Sequence, residues 1–323
     1  LSTFLLLFSL IEKGQATETY RPETSVAGFF ELPGSGRQVY NFNPGRRFFR
    51  GDVQGAEAVY CDDRSWNVVS TPHTVELMPA EGSGCRNYQG PAWYRKHFVL
   101  PAETKGKRVV LHFEAAMGKQ ILYLNGKRIQ EHLGGYLPFT LDLTANGVQA
   151  GDSCLLAVFT DNSDDKSYPP GKRQYTLDFA YHGGIYRDVW MIAKSPVAIT
   201  DAIDSQIVGG GGVFVHFDKI SKKSAQVYVN TEVQNDDARS ESVTVETTLT
   251  DADGKVIKRS SGKLSLKPGE KKSIRQQMEV KNPTLWSPDT PYLYRVHSRI
   301  KKGNKSIDGG ITRVGIRLSE LRG

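Results

Sequence analysis

The stretch Asp178-Phe-Ala-Tyr-His-Gly-Gly-Ile-Tyr-Arg-Asp-Val-Trp190 decides how this chain is read. Gly183-Gly184 gives the backbone two successive positions free to adopt φ > 0. Ile185 to Ile192 then reads as a strand, rich in β-branched and aromatic residues. Just before it stand the carboxylate Asp178, the aromatics Phe179 and Tyr181, and His182, in a loop, where rigid scaffolds commonly place function.

Short alternating runs extend outward in both directions. Val109, Leu111 and Phe113 alternate with Val110, His112 and Glu114. Ile121 to Leu124 runs into Asn125-Gly126 and on into Lys127-Arg128-Ile129, a hairpin signal, because both turn residues need φ > 0. Cys154 to Thr160 is a nearly continuous apolar run, expected to be a central strand covered on both faces. Heptads are absent and no strong helix is expected, so the pattern predicts an antiparallel sandwich with Gly/Pro loops.

Around Lys194-Ser195-Pro196 the character changes. Gly209 to Gly212 reads as a turn; it is no phosphate loop, since no helix follows and the Lys-Ser/Thr ending is missing. Period-2 alternation returns in Gln226–Val233, in Val243–Thr250, at Ile274, Gln276, Met278 and Val280, and in Tyr292–Ile300, with a turn at Asp253-Gly254. About seven short strands in this space match the size of an immunoglobulin-like sandwich.

The bulk numbers set limits. A chain of 323 residues has room for about two domains, and 38% hydrophobic with 24% charged residues is a globular composition. Phe4 to Ile11 is an apolar run too short to span a bilayer, followed by Gly14-Gln15-Ala16. It reads as the tail of a secretory signal peptide, and residues 1–16 are set aside from the fold. Periplasmic or secreted localisation is the expectation, with no membrane attachment after signal removal. The net charge of +7 is uneven: residues 196–323 hold 21 Lys+Arg against 15 Asp+Glu. The excess falls in pairs such as Lys222-Lys223, Lys271-Lys272 and Lys301-Lys302 beside turns, which suits solvated strand edges. No recognisable nucleic-acid module accompanies it, so no nucleic-acid partner is expected. Cys61, Cys85 and Cys154 are an odd number without metal-type spacing. A Cys61–Cys85 bridge is left open, and neither a metal nor a cofactor is expected.

Several landmarks together carry a resemblance. They are Trp66 with Pro72-His73, Gly90-Pro-Ala-Trp-Tyr-Arg95, Leu124-Asn-Gly-Lys127, Gly134-Gly-Tyr-Leu-Pro-Phe139, Pro169-Pro-Gly171 and Gly183-Gly-Ile-Tyr-Arg-Asp-Val189. They continue in Asn282-Pro-Thr-Leu-Trp-Ser-Pro288, Pro291-Tyr-Leu-Tyr294 and Val314-Gly-Ile-Arg317. In this order they resemble the N-terminal part of glycoside hydrolase family 2 enzymes, the β-galactosidases and β-glucuronidases. The resemblance implies an all-β chain: an N-terminal extension at 17–39, a jelly-roll, sugar-binding-type sandwich at 40–195, an immunoglobulin-like sandwich at 196–318, and a truncated lead-in at 319–323 to an absent catalytic barrel.

The implied function is that of an accessory half. In the family, two glutamates of a (β/α)₈ barrel act as acid/base and nucleophile, in a retaining reaction that needs carboxyls about 5 Å apart. No carboxylate of this chain takes a catalytic role by motif, so the chain alone is expected to hydrolyse nothing. Asp161, Asp164 and Asp165 read as a solvated acidic loop or Asx turn. The resemblance places Asp178 and Asn87 as substrate-binding residues: a carboxylate accepts two sugar hydroxyls, and an amide both donates and accepts. Tyr181 and His182 are expected to pack beside Gly183, and Arg187 and Asp188 to make separate buried or interdomain ion pairs. The expected partners are a β-galactoside-type carbohydrate and the chain's own barrel; homo-oligomerisation is left open. The Pro-Pro-Gly loop leans toward the galactosidases. Two other readings remain: a stand-alone lectin, and a non-catalytic adhesion or scaffold protein.

Overall fold

The computed structural model describes residues 32–78, 87–177 and 181–318. Ten strands build the first sandwich: β1 (Gln38–Asn41), β2 (Arg46–Arg50), β3 (Asn67–Val69), β4 (Pro91–Val99), β5 (Arg108–Phe113), β6 (Lys119–Leu124), β7 (Lys127–Leu133), β8 (Phe139–Asp142), β9 (Ser153–Asp161) and β10 (Val189–Lys194). One sheet runs β1-β10-β5-β8 and the other β3-β2-β4-β9-β6-β7, with every pair antiparallel. Between them lies a core that includes Phe42, Tyr94, Phe98, Leu111, Phe113, Leu122, Leu156, Val158 and Met191. The apolar run from Cys154 is central, as its composition predicts: β9 lies between β4 and β6. Asn125 and Gly126 turn the β6–β7 hairpin with φ of 50° and 83°.

The strand expected over Ile185–Ile192 starts later, at Val189. Ile185 and its neighbours give their backbone groups to loops instead. His73 N–H donates to Ile185 O (2.9 Å), Met117 N–H to Gly184 O (3.0 Å) and Glu114 N–H to Asp188 O (3.0 Å). β10 is buried along its whole length. Val189 and Met191 face the core, while Trp190 and Ile192 cluster with Val39 on the opposite side.

The second sandwich holds β11 (Val197–Ile199), the one-turn helix α1 (Ala202–Ser205), β12 (Val213–Asp218), β13 (Ser224–Asn235), β14 (Glu241–Thr250), β15 (Val256–Leu266), β16 (Lys271–Lys281), β17 (Tyr294–Lys302) and β18 (Lys305–Val314). Its sheets are β11-β13-β12, with β16 on the other side of β13, and β15-β14-β17-β18. Inward residues of alternating strands, such as Val227, Val229, Leu249, Met278 and Val296, fill the core. Trp286 closes one end: its N–H donates to Ile316 O (2.8 Å), and a Cβ on Gly315 would stand 2.9 Å from its ring.

Polar contacts join the two sandwiches. Residues 32–37 run onto the second one, where Arg299 donates to Pro33 O (2.9 Å), while Gln38 and Val39, expected in an extension, already pair in β1. Arg37 grips Asp308 through Nε (2.8 Å) and Nη2 (2.7 Å), and Asp308 also accepts from Ile199 N–H (2.8 Å). Arg108 spans Asp142 (2.6 Å) and Asp236 (3.0 Å). Lys194 Nζ donates to Ile199 O (3.1 Å) beside a crevice of about 310 Å³. Burial first, then the Arg37 charge, pushes the Lys194 amine down to about 8.

Candidate functional site

The register collects five loops at one end of the first sandwich. Pro91 opens β4 opposite Asp161 at the end of β9, and Lys119 opens β6 opposite Leu133 at the end of β7. In the other sheet Val189, Phe113 and Phe139 meet at the same end. The segments around 73–76, 87–90, 134–138, 162–177 and 181–188 therefore converge there.

Asn87 is half-buried and donates from Nδ2 to Tyr181 O (2.7 Å), a contact across 94 residues of sequence. Its Oδ1 is left without a partner among the described residues. Asp178 lies outside the described residues; Asn87 is bonded to the chain three positions beyond it. Tyr181 is buried rather than presented to a ligand, 4% exposed, and its phenol rises to about 12 through burial and the neighbouring Tyr136. Tyr136, 41% exposed, and His182 form part of the outer rim.

The two glycines are there because neighbours leave no room for a side chain. A Cβ on Gly183 would lie 2.5 Å from Asn162 Nδ2 and 2.7 Å from Val75 Cγ2. Gly184 has φ +94°, and a Cβ there would collide with the Tyr94 hydroxyl. That hydroxyl meets His73 Nδ1 at 2.9 Å, and Val75 N–H donates to Gly183 O (3.0 Å). Burial lowers the His73 pKa and, first among its causes, raises that of Tyr94.

Asn162 is the organiser that sequence reasoning missed. It is 4% exposed. Its Oδ1 accepts from Gly90 N–H (3.0 Å), its Nδ2 donates to Tyr88 O (2.8 Å), and its backbone O accepts from Gln174 Nε2 (2.9 Å). One amide thus fixes the Asn87 loop against the 162–177 loop. The one sequence hint is its place directly after the central strand.

The acidic cluster does local work. Asp161 accepts from Ser163 N–H (2.8 Å), Asp165 from Ser167 N–H (2.7 Å), and Asp164 from Gln174 N–H (3.0 Å) and Gln89 Nε2 (3.1 Å). The separate ion pairs expected of Arg187 and Asp188 are replaced by other contacts. Asp188 accepts from Asn43 Nδ2 (2.7 Å), and exposed Arg187 lies over the Tyr186 ring (5.6 Å). A Cys61–Cys85 pairing falls outside the described residues because of Cys85. Cys154 is a buried thiol whose pKa burial raises to about 11. Among the described residues no three His, Cys, Asp or Glu side chains converge as metal ligands would.

Two family models match consecutive stretches: "Glycosyl hydrolases family 2, sugar binding domain" over residues 47–196, and "Glycosyl hydrolases family 2" over residues 211–317. The chain belongs to glycoside hydrolase family 2. A β-glucuronidase of Formosa agariphila is 32% identical over 300 residues, covering 88% of this chain and 30% of that protein. A β-galactosidase of Thermoanaerobacter pseudethanolicus is 31% identical over 287 residues, covering 89% and 36%. Among solved structures, a family 2 β-glucuronidase superposes with a TM-score of 0.77 at 31% identity, covering 89% of this chain and 31% of that one. A putative β-galactosidase from Bacteroides fragilis superposes with a TM-score of 0.75 at 30% identity, covering 88% and 42%. The chain therefore spans about a third of the length of the curated relatives it matches. In this family 2 chain the sugar-binding domain coincides with the sandwich that carries Asn87, and the second match lies within the immunoglobulin-like sandwich.

Proposed function

We propose that this chain is the non-catalytic N-terminal half of an exported family 2 glycoside hydrolase, and that its loop end lines the sugar pocket of a following catalytic barrel. The observation that carries this reading is the Asn87–Tyr181 bond, which joins the loop of one candidate sugar ligand to the segment that follows the other. The amide then offers Oδ1 to a sugar hydroxyl while Nδ2 holds the loop, and Asp178 supplies a charge-assisted acceptor beside it. Export rests on the apolar run Phe4–Ile11 and the small residues before Thr17.

The proposed whole-protein reaction is retaining hydrolysis of a β-galactoside, on the strength of the Pro169-Pro-Gly171 loop. A β-glucuronide is the second reading, favoured by the Formosa relative's name. The test has two arms. The isolated chain is assayed on nitrophenyl β-galactoside and nitrophenyl β-glucuronide, with no turnover expected. The chain joined to the barrel encoded by its own gene is then assayed with and without Asn87→Ala, with kcat/KM expected to fall at least tenfold. Turnover by the isolated chain, or an Asn87→Ala enzyme with unchanged kcat/KM, rejects the reading. Sub-millimolar galactoside binding by the isolated chain in calorimetry would favour a lectin instead.

A further inference from the structure

The outer face of sheet β15-β14-β17-β18 carries charge of nearly one sign. Val243, Val245, Thr247 and Leu249 of β14 are buried, so the alternate residues point outward. Register places Thr244 between Lys263 and Lys301, Glu246 between Ser261 and Arg299, and Thr248 between Arg259 and His297. Arg295 and its partner Arg313 extend the same face. Its one carboxylate among these residues, Glu246, is already taken by Lys301 at 3.2 Å. Arg295 and Arg299 spend N–H groups on neutral carbonyls, of Asp251 (3.3 Å) and Pro33 (2.9 Å), and neither makes an ion pair among the described residues. Arg259 and Lys263 are exposed, with no partner among the described residues.

A shallow groove of about 660 Å³ crosses this face, lined by Glu246, Thr248, Arg259, Ser261, His297 and Arg299 among others. His297 reports its field: burial, then the Arg299 and Arg295 charges, push the imidazole pKa down.

We propose that this face of the immunoglobulin-like sandwich is a polyanion-binding surface that takes an acidic polysaccharide. The pleated lattice sets cations two strands apart at about 10 Å, and alternate residues along a strand at about 6.7 Å. Such an array suits an extended chain with repeated anionic groups better than one small anion. Guanidinium forks donate to carboxylate or sulfate oxygens, and the interleaved hydroxyls of Thr244, Thr248 and Ser261 meet sugar hydroxyls. The outward rows contain no Phe, Tyr or Trp on which bases would stack, which favours a glycan over single-stranded nucleic acid. This surface is on the other sandwich from Asn87 and does not depend on the pocket reading.

The test is calorimetric titration of the purified chain at low ionic strength with dextran sulfate, polygalacturonate, neutral dextran and a DNA duplex. Dextran sulfate or polygalacturonate is expected to bind, the preferred one showing whether sulfate or carboxylate is the recognised group. Affinity should fall steeply with added salt. Neutral dextran should not bind. The double variant Arg259→Ser/Lys263→Ser should weaken glycan binding at least tenfold with an unchanged melting temperature. The proposal is overturned by absence of binding to both acidic glycans, by wild-type affinity in the double variant, or by duplex DNA binding as tightly as the glycans.

Discussion

Gly184 and Asn162 set the geometry of the loop end from opposite directions, one by lacking a side chain and the other by spending all of it. At Gly184 a methyl group needs both a strained backbone at φ +94° and displacement of the buried Tyr94 hydroxyl. Gly184→Ala is expected to cost about 2–4 kcal/mol in urea denaturation, with Gly209→Ala, whose nearest side-chain contact is an ordinary 3.8 Å, costing less. Asn162→Ala strands the Gly90 N–H and the Tyr88 O, for a loss of about 2 kcal/mol. Hydrogen exchange should show the Gly90 amide losing protection in that variant while the β9 amides keep theirs. Full retention of Gly90 protection would remove Asn162 from its organising place. Gly184 is legible in sequence, because few other residues take such a conformation; Gly183, expected to share it, has an ordinary φ and is there because Asn162 and Val75 leave no room for a side chain. Asn162 is not, because an asparagine after a strand looks the same whether it caps a turn or ties two loops.

Among the elements, strands obey their alternation and the loop over the six-stranded sheet obeys one buried cation. Arg95, fully buried on β4, donates to Asp63 (2.8 Å), Ala58 O (3.0 Å) and Cys61 O (3.2 Å), and also to Ala56 O. It lashes residues 53–63 onto the sheet, where Ala56, Trp66, Trp93 and Ala157 make a second small core. Arg95→Met keeps the volume but leaves three carbonyls unpaired and Asp63 with His97 alone (3.1 Å), for an expected loss of about 3–5 kcal/mol. Limited proteolysis should then cut between residues 53 and 64, and an uncut loop would contradict this account. β9 is visible from its apolar run. The buried arginine is not, since Trp93-Tyr94-Arg95 reads equally well as an aromatic edge with an exposed tail.

For the whole molecule, the question is how firmly the sandwiches hold each other. Asp308 is wholly buried and takes both Arg37 and the Ile199 N–H, so Asp308→Asn leaves Arg37 without its counter-charge. An expected loss of about 3 kcal/mol should appear as earlier separation of two unfolding transitions in calorimetry. Lys194 pulls the other way. Its amine is held at about 8 against an ordinary 10.5, so between those values the unfolded chain binds more protons than the native one. Stability from this group therefore rises as pH climbs from about 8 to 10.5, and the penalty is fully present below 8. Lys194→Met should accordingly stabilise at pH 7, by at most ~3 kcal/mol, and lose that advantage near pH 10. A variant less stable than wild type at pH 7 would show that the bond to Ile199 O outweighs the buried charge.

By itself the sequence determined several of the strands, the Asn125-Gly126 turn, the division into two β-sandwiches and the family, because alternation and turn chemistry are properties of neighbouring residues. Only the tertiary structure decided that Asn87 reaches Tyr181, that Asn162 joins two loops, that Arg37 finds Asp308, and that scattered lysines and arginines share one sheet face. Those contacts follow from strand order and register. Between strands distant in sequence, both are set by how whole faces bury against one another, which the pattern of any one strand does not carry.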